Sequence, residues 1–420
     1  MSLGGTIAVM RMFARAVGRL PAGHLWYLLR RMRNEKPHRF GGQVRINTFF
    51  PPHPSPAFER FLSAVIERRR VPFSTYLAVT GDCPFKCPHC SYGHRPAGGL
   101  ATGELLDVIE QIRSIGTCTL GLTGGEPLLR DDLEDLVAAA SGAGSAPRAG
   151  NRRDDGRDRS SMATILFTTG HGLTARRARR LAEARLTCLT VGIESDDAGT
   201  HDAIRGVRGS FEAAVQAVRV AKEAGIYTAI STVGTRERIA SGELERMYDL
   251  ARRWGVGEFR LLAPVATGSA AGCGSFMLSD DERRTLQDFH VLHNRRRGGP
   301  AVASFAYLES AEMFGCGAGY HHLFIDAAGE VCPCDLTPLS FGNLMREPLA
   351  EIWRRMGELF TAPRCGCLMG ELAPKLASAR GEGGAGALPL PREQSEQLCA
   401  SCAAKGPLPE CYRRLLAEKA

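Results

Sequence analysis

The chain of 420 residues contains no run of about eighteen uncharged apolar residues, which excludes a bilayer-spanning helix. It also lacks the marks of a secretory signal: the apolar start, residues 1–10, leads into Arg11, Arg15 and Arg19, with no long apolar core and no small-residue cleavage site. A cytoplasmic protein is expected. There is no internal repeat, and no RNA-binding module or aromatic-rich basic strand accompanies the positive charge, so nucleic acid is not an expected partner. What is present is a globular composition, 44% apolar and 23% charged, in a chain long enough to bury a large core.

The formal net charge of +8 is concentrated at one end. Residues 1–70 hold thirteen Lys and Arg against Glu35, Glu59 and Glu67, which leaves the remainder slightly acidic. Ile7, Met10, Phe13, Val17 and Leu20 share one helical face and the three arginines another, with Trp26 and Tyr27 following. Two readings fit residues 1–35. One is an amphipathic helix in peripheral contact with an anionic membrane surface or an anionic substrate; the other is a helix packed on the protein with a solvated charged face.

In a cytoplasmic chain of this length, clustered cysteines read as metal ligands rather than disulfides. Of the fourteen, three lie at 83–90 and eight at 316–411, while Cys118, Cys188 and Cys273 are scattered and read as buried small apolar residues.

From residue 74, β-branched apolar runs at 74–80, 118–123, 163–168, 186–193, 227–233 and 258–262 alternate with helix-period stretches such as 102–115 and 210–224. Six such units predict an α/β fold, a partial (βα)6 TIM-like barrel with its chemistry at the C-terminal ends of the strands. Residues 141–162 have no apolar period and read as a flexible insertion; 379–391 form a second loose stretch. The expected division is a basic extension (1–72), the barrel (73–265), a linking segment (266–310) and a small cysteine-rich domain (311–420).

Directly after the first predicted strand, Cys83, Cys87 and Cys90 are spaced C-x3-C-x2-C. A four-iron four-sulfur (4Fe-4S) cluster usually takes four Cys ligands, so three on one loop leave an iron open. A structural zinc loop would use the same residue type. After the second strand, the run TGGEP at 123–127 has a Gly pair whose backbone can approach a small charged molecule.

Together these two motifs resemble the radical S-adenosylmethionine (SAM) superfamily across residues 74–264. The resemblance implies a cluster that binds SAM at its open iron, with Gly124, Gly125 and Glu126 on the SAM amino group and His89 beside the adenine. Thr168-Thr169-Gly170 stands where relatives carry a TNG-like turn and gives Thr169 a SAM contact. Glu194, in Val191 to Ser195, replaces the acid of the family's Ser-x-Asp ribose element. His201-Asp202-x-x-Arg205-Gly206 resembles the HDxxRG run, whose Arg pairs with the SAM carboxylate through its forked donors; the plain alternative for Arg205 is a surface salt bridge.

Cys316, Gly329 and Cys334 fit C-x12-G-x4-C, which resembles the opening of a SPASM or twitch auxiliary-cluster domain. Cys399-x2-Cys402 supplies a second pair, and one auxiliary 4Fe-4S cluster on Cys316, Cys334, Cys399 and Cys402 is expected. Cys332, Cys365, Cys367 and Cys411 are further candidate ligands, numerous enough for a second cluster; zinc on some of them stays open.

The resemblance implies reductive cleavage of SAM to a 5′-deoxyadenosyl radical that abstracts hydrogen, with electrons from a partner such as flavodoxin or ferredoxin. Peptide or protein modification, or cofactor maturation, is the leading expectation. Oxidation or decarboxylation of a tetrapyrrole, lipid-linked or other small anionic substrate is the second. A non-catalytic iron–sulfur electron carrier is the rival from another class, and TGGEP and HDxxRG argue against it.

Overall fold

The computed structural model describes residues 12–143, 160–380, 388–402 and 407–416. Most of the predicted insertion at 141–162, the centre of the loose stretch at 379–391, and Ile7, Met10 and Arg11 lie outside the described residues.

A hairpin of β1 (His38–Phe40) and β2 (Gln43–Arg45) precedes a nine-stranded sheet. Its strands are β3 (Ser74–Thr80), β4 (Thr119–Gly124), β5 (Ala163–Thr168), β6 (Cys188–Gly192), β7 (Thr228–Val233), β8 (Glu258–Leu262), β9 (Ala301–Ser304), β10 (His322–Ile325) and β11 (Val331–Cys332). The order β11-β10-β3-β4-β5-β6-β7-β8-β9 is linear, so the barrel stays open. β3 to β8 are the six expected parallel strands. Both edges extend further: β9 adds parallel to β8, and β10 from the cysteine-rich region adds parallel to β3. Residues 266–310 thus hold a sheet strand as well as the helix Asp280–Arg295, whose start is fixed by a capping box of Ser279 and Glu282.

Register explains the layering. Leu77, Leu122, Leu166 and Leu189 sit opposite one another on successive strands and are fully buried against helix residues such as Leu105 and Ile109. The alternate residues point inward, where the Tyr76 and Phe167 rings lie 4.9 Å apart. Gly121 between them is required, because a Cβ there would fall 2.5 Å from Tyr76 and 2.8 Å from Phe167.

The basic extension is built into this body. Met12, Ala16, Leu20 and Tyr27 are buried in a cluster with Phe58, Phe61 and Tyr412. Of the expected apolar face, Leu20 is buried and the Phe13 ring lies 6.1 Å from that of Phe58, whereas Val17 is 70% exposed. Farther along, Arg45, Asn47, Thr48 and Phe50 meet Thr119, Ala163, Cys188 and Tyr227 at the N-terminal ends of the strands, closing the barrel floor. Glu258, fully buried, accepts from the Thr48 amide at 2.8 Å and its hydroxyl at 2.5 Å.

A second tie joins the loop after β3 to the C-terminal region. Arg95 pairs with Asp326 at 3.2 Å, both side chains almost wholly buried, and donates to Cys332 Sγ at 3.6 Å. Removing one member of such a pair costs roughly 3–5 kcal/mol, since it strands the other charge.

His321 stacks on Phe73 and Tyr412, and burial pushes its imidazole down to about 3 from an ordinary 6.5. The unfolded chain therefore binds a proton that the folded one refuses, so this contribution is complete above pH 6.5 and is lost as pH falls toward 3. Melting temperature is expected to drop along that acid limb, and His321→Phe should make the limb shallower.

Candidate active site

The C-terminal ends of the strands open into one cavity of about 580 Å³. Its lining includes Cys83, Cys87, His89 and Cys90, then Gly124, Gly125, Thr169, Glu194 and Arg205, and from the C-terminal region Cys316, Cys334, Cys365 and Cys367. Residues separated by nearly three hundred positions therefore face one space.

The first three cysteines sit on the loop after β3, where the Cys90 amide bonds back to the Cys87 carbonyl at 3.2 Å. Cys87 is buried, which raises its thiol, while Cys83 is exposed. Arg205 donates to Cys87 Sγ at 3.4 Å, and its carbonyl accepts from the Lys86 amide at 3.3 Å. Three soft thiols gathered on one loop suit a metal centre, whose positive charge would hold them deprotonated.

Glu194 is the electrostatic hub. It pairs with Arg205 at 2.9 Å, His89 at 3.1 Å and Arg238 at 3.4 Å while 4% exposed. Burial alone would raise its pKa; Arg205, His89 and Arg238 outweigh burial and hold it well below the carboxylate range. The Glu194 amide donates to His201 Nδ1 at 3.1 Å, and burial holds that ring at about 4, which keeps Nδ1 an acceptor. Asp202 accepts from the Gly209 and Phe211 amides at 2.6 and 2.8 Å, fixing the next helix, Ser210–Glu223. Arg205 is thus a buried partner of Glu194 and Cys87 and not a surface ion pair.

Gly124 and Gly125 permit a close backbone crossing: Cβ atoms on them would lie 2.1 Å from Thr80 O and 2.0 Å from Asp82 O. Glu126 is fully buried and does not line the cavity. Its carboxylate accepts from Leu128 N at 3.0 Å, Thr168 Oγ1 at 2.6 Å, Thr169 N at 2.7 Å and Thr169 Oγ1 at 2.5 Å, tying the loops after β4 and β5 together.

On the wall built by the C-terminal region, Cys316 exchanges backbone hydrogen bonds with Arg364 at 2.8 and 3.2 Å, which carries Cys365 and Cys367 alongside. The Cys316 thiol meets Cys367, and that contact together with burial raises it well above its usual value. Cys399 and Cys402 do not line this wall; Lys375 Nζ lies 3.1 Å from Cys402 Sγ. Cys332 is buried against Arg95, and Cys411 packs in the N-terminal cluster. Cys118 and Cys188 are buried as expected, whereas Cys273 is exposed, because it lies on the surface turn before Gly274–Phe276.

Sequence reasoning missed several residues beside the site. Arg238 reaches Glu194 across 44 positions, and no local pattern announces it. His322 bonds Ser74 at 2.7 Å and Asp335 at 3.2 Å, and the possible ligand atoms of His322, Cys334 and Asp335 lie within 4.8 Å of one another on the cavity wall. Only the adjacency of Asp335 to a candidate ligand could have drawn notice.

Residues 77–250 match the radical SAM superfamily, and residues 316–371 match SPASM, an iron-sulfur cluster-binding domain. The chain is 30% identical over 294 residues to a PqqA peptide cyclase of Streptomyces rochei, covering 67% of this chain and 75% of the relative. It is 26% identical over 302 residues to an AdoMet-dependent heme synthase of Nitratidesulfovibrio vulgaris, covering 66% and 77%. Among solved structures, Streptococcus suis SuiB bound to precursor peptide SuiA shares the fold with a TM-score of 0.53 at 15% identity, over 70% of this chain and 68% of that one. The chain belongs to the radical SAM superfamily and is an enzyme of its SPASM-bearing branch, with SAM and iron–sulfur clusters as its cofactors.

Proposed function

We propose that the enzyme modifies a peptide or protein side chain, with residues 73–265 as the SAM-cleaving core, 266–310 as the link and 311–420 as the auxiliary domain. The carrying observation is the single cavity that Cys83, Cys87 and Cys90 share with Cys316, Cys334 and Cys367. When bound, the cluster and SAM supply a 5′-deoxyadenosyl radical that takes hydrogen from substrate. In this reading Cys83, Cys87 and Cys90 are the cluster ligands, Gly124 and Gly125 admit the SAM amino group, and His89 flanks the adenine. Arg205 and Glu194 form a charge pair that presents a cation to the SAM carboxylate and a carboxylate to the ribose, while Glu126 positions Thr169. Cys316, Cys334 and Cys367, with Cys365 beside them, hold the auxiliary cluster, and electrons arrive from a flavodoxin or ferredoxin.

The peptide reading is supported by the 30% identity to a peptide cyclase. The heme synthase relative supports the second reading, a tetrapyrrole oxidised or decarboxylated in the same cavity. Anaerobic reconstitution, then dithionite and SAM, is expected to yield 5′-deoxyadenosine; none from a fully loaded protein would favour an electron carrier. With genome-neighbouring peptides and a porphyrin carboxylate as separate substrates, mass spectrometry distinguishes hydrogen loss in a peptide from loss of carboxyl groups.

No helix among the described residues is long and apolar enough to cross a membrane. We place the enzyme in the cytoplasm, in peripheral contact with anionic lipid through residues 1–35. Val17 and Trp26, 70% and 65% exposed, stand out from a segment rich in arginine. The protein is expected to float with anionic vesicles and Trp26→Glu to reduce flotation; equal flotation of the two overturns the contact.

A further inference from the structure

Deep inside the cavity a buried cation has no full counterpart. Arg260 lies in the middle of β8, is 2% exposed and faces inward to line the space beyond the SAM-side residues. Its nearest carboxylate is Glu258 at 3.8 Å, and Glu258 is already engaged by Thr48. The other acceptors are hydroxyls: Nη1 donates to Thr48 Oγ1, and Nη2 reaches Tyr76 at 3.4 Å. The buried Nε has no acceptor among the described residues. A guanidinium carries five N–H donors and stays charged, so most of its donor capacity is unused in a place where unmet polar groups are costly.

The surroundings say what would complete it. Phe167 and Phe305 rings lie 5.1 and 5.0 Å from the guanidinium carbon and crowd it. The unmet Nε–H lies on the guanidinium edge that a carboxylate takes in a forked Arg–carboxylate pair. On the neighbouring strands, the residues paired with Arg260 are Ser231 and Ala303, both small, so space adjoins the cation. The same aromatic rings offer apolar contact to whatever carries the anion.

We propose that Arg260 is the specificity-determining residue of this enzyme and anchors a substrate carboxylate borne on an apolar or flat group. The inference rests on the reading of this cavity as the substrate site. A peptide carboxylate and a tetrapyrrole propionate present the same chemistry to Arg260, and both use the fork.

The test uses the reconstituted holoenzyme with SAM bound, and equilibrium dialysis of 3-phenylpropionate against its uncharged amide. The acid is expected to bind at least about tenfold more tightly than the amide, the worth of a charge-assisted hydrogen bond. Arg260→Gln should erase that preference, and Arg260→Lys, which keeps the charge in case the Gln protein does not fold, should reduce it. Equal binding of acid and amide to the wild-type protein, no binding of either, or an undiminished preference in a folded variant overturns the proposal. Displacement of the acid by coproporphyrin or by a glutamate-bearing peptide identifies the source of the carboxylate. Release of 5′-deoxyadenosine by the wild-type protein reports separately on the reading beneath it, so the two can fail independently.

Discussion

Cys87→Ala is expected to reduce 5′-deoxyadenosine formation to the background of unloaded protein and to lower the iron content by about four per chain, one 4Fe-4S cluster. Cys87 is the most buried of its three, and it alone receives a guanidinium hydrogen bond, from Arg205 at 3.4 Å. The substitution removes one of only three thiol ligands on the loop, and two cannot hold the cluster. Arg205 keeps its 2.9 Å pair with Glu194, so the SAM side of the cavity should survive. The C-terminal wall is untouched, and its iron should remain. Measuring iron and 5′-deoxyadenosine together separates this outcome from unfolding, which would empty every site. Wild-type turnover by the alanine variant would remove Cys83, Cys87 and Cys90 from the chemistry.

The second large effect is expected at Cys367. Spacing favoured Cys399 and Cys402 as partners of Cys316 and Cys334, because C-x2-C is a familiar ligand pair. In the folded chain it is Cys367 that meets the Cys316 thiol, while Cys402 lies beside Lys375. Cys367→Ala should therefore lose about four irons per chain while the loop after β3 stays loaded, and Cys402→Ala should leave the wall cluster in place. Electron paramagnetic resonance of the reduced variants reads this directly, since each cluster gives its own signal. Loss of the same signal in Cys402→Ala, with retention in Cys367→Ala, would return the assignment to the spacing-based set. The total also fixes the number of centres: about eight irons for one auxiliary cluster, about twelve for two.

The core strands were legible because their helix-facing positions must be apolar, as Leu77, Leu122, Leu166 and Leu189 are. β9 was not, since Ala301–Ser304 is four residues without a long apolar side chain. β10 and β11 are short and lie among cysteines, which drew attention to metal and away from pairing. The motif residues of the site were legible where chemistry fixes their spacing, as in Cys83, Cys87 and Cys90. Their supports were not. Glu126 bonds Thr169 across 43 positions and Arg238 bonds Glu194 across 44, distances over which a sequence carries no periodic signal. Arg260 was passed over for a similar reason: a single arginine in a strand looks ordinary until both its neighbours and its missing acceptor are visible.

The closed floor of the barrel has a consequence for how the chain is made. Thr48 bonds Glu258 across 210 positions, and Tyr27 bonds the Glu312 carbonyl across 285. Made before these partners, residues 12–58 must wait for segments synthesised long afterwards, with Met12, Leu20 and Phe58 lacking part of their cluster in the meantime. Nascent chains halted before residue 258 hold an unpaired apolar face and a floorless barrel. Docking of the extension therefore waits until residue 312 has been made.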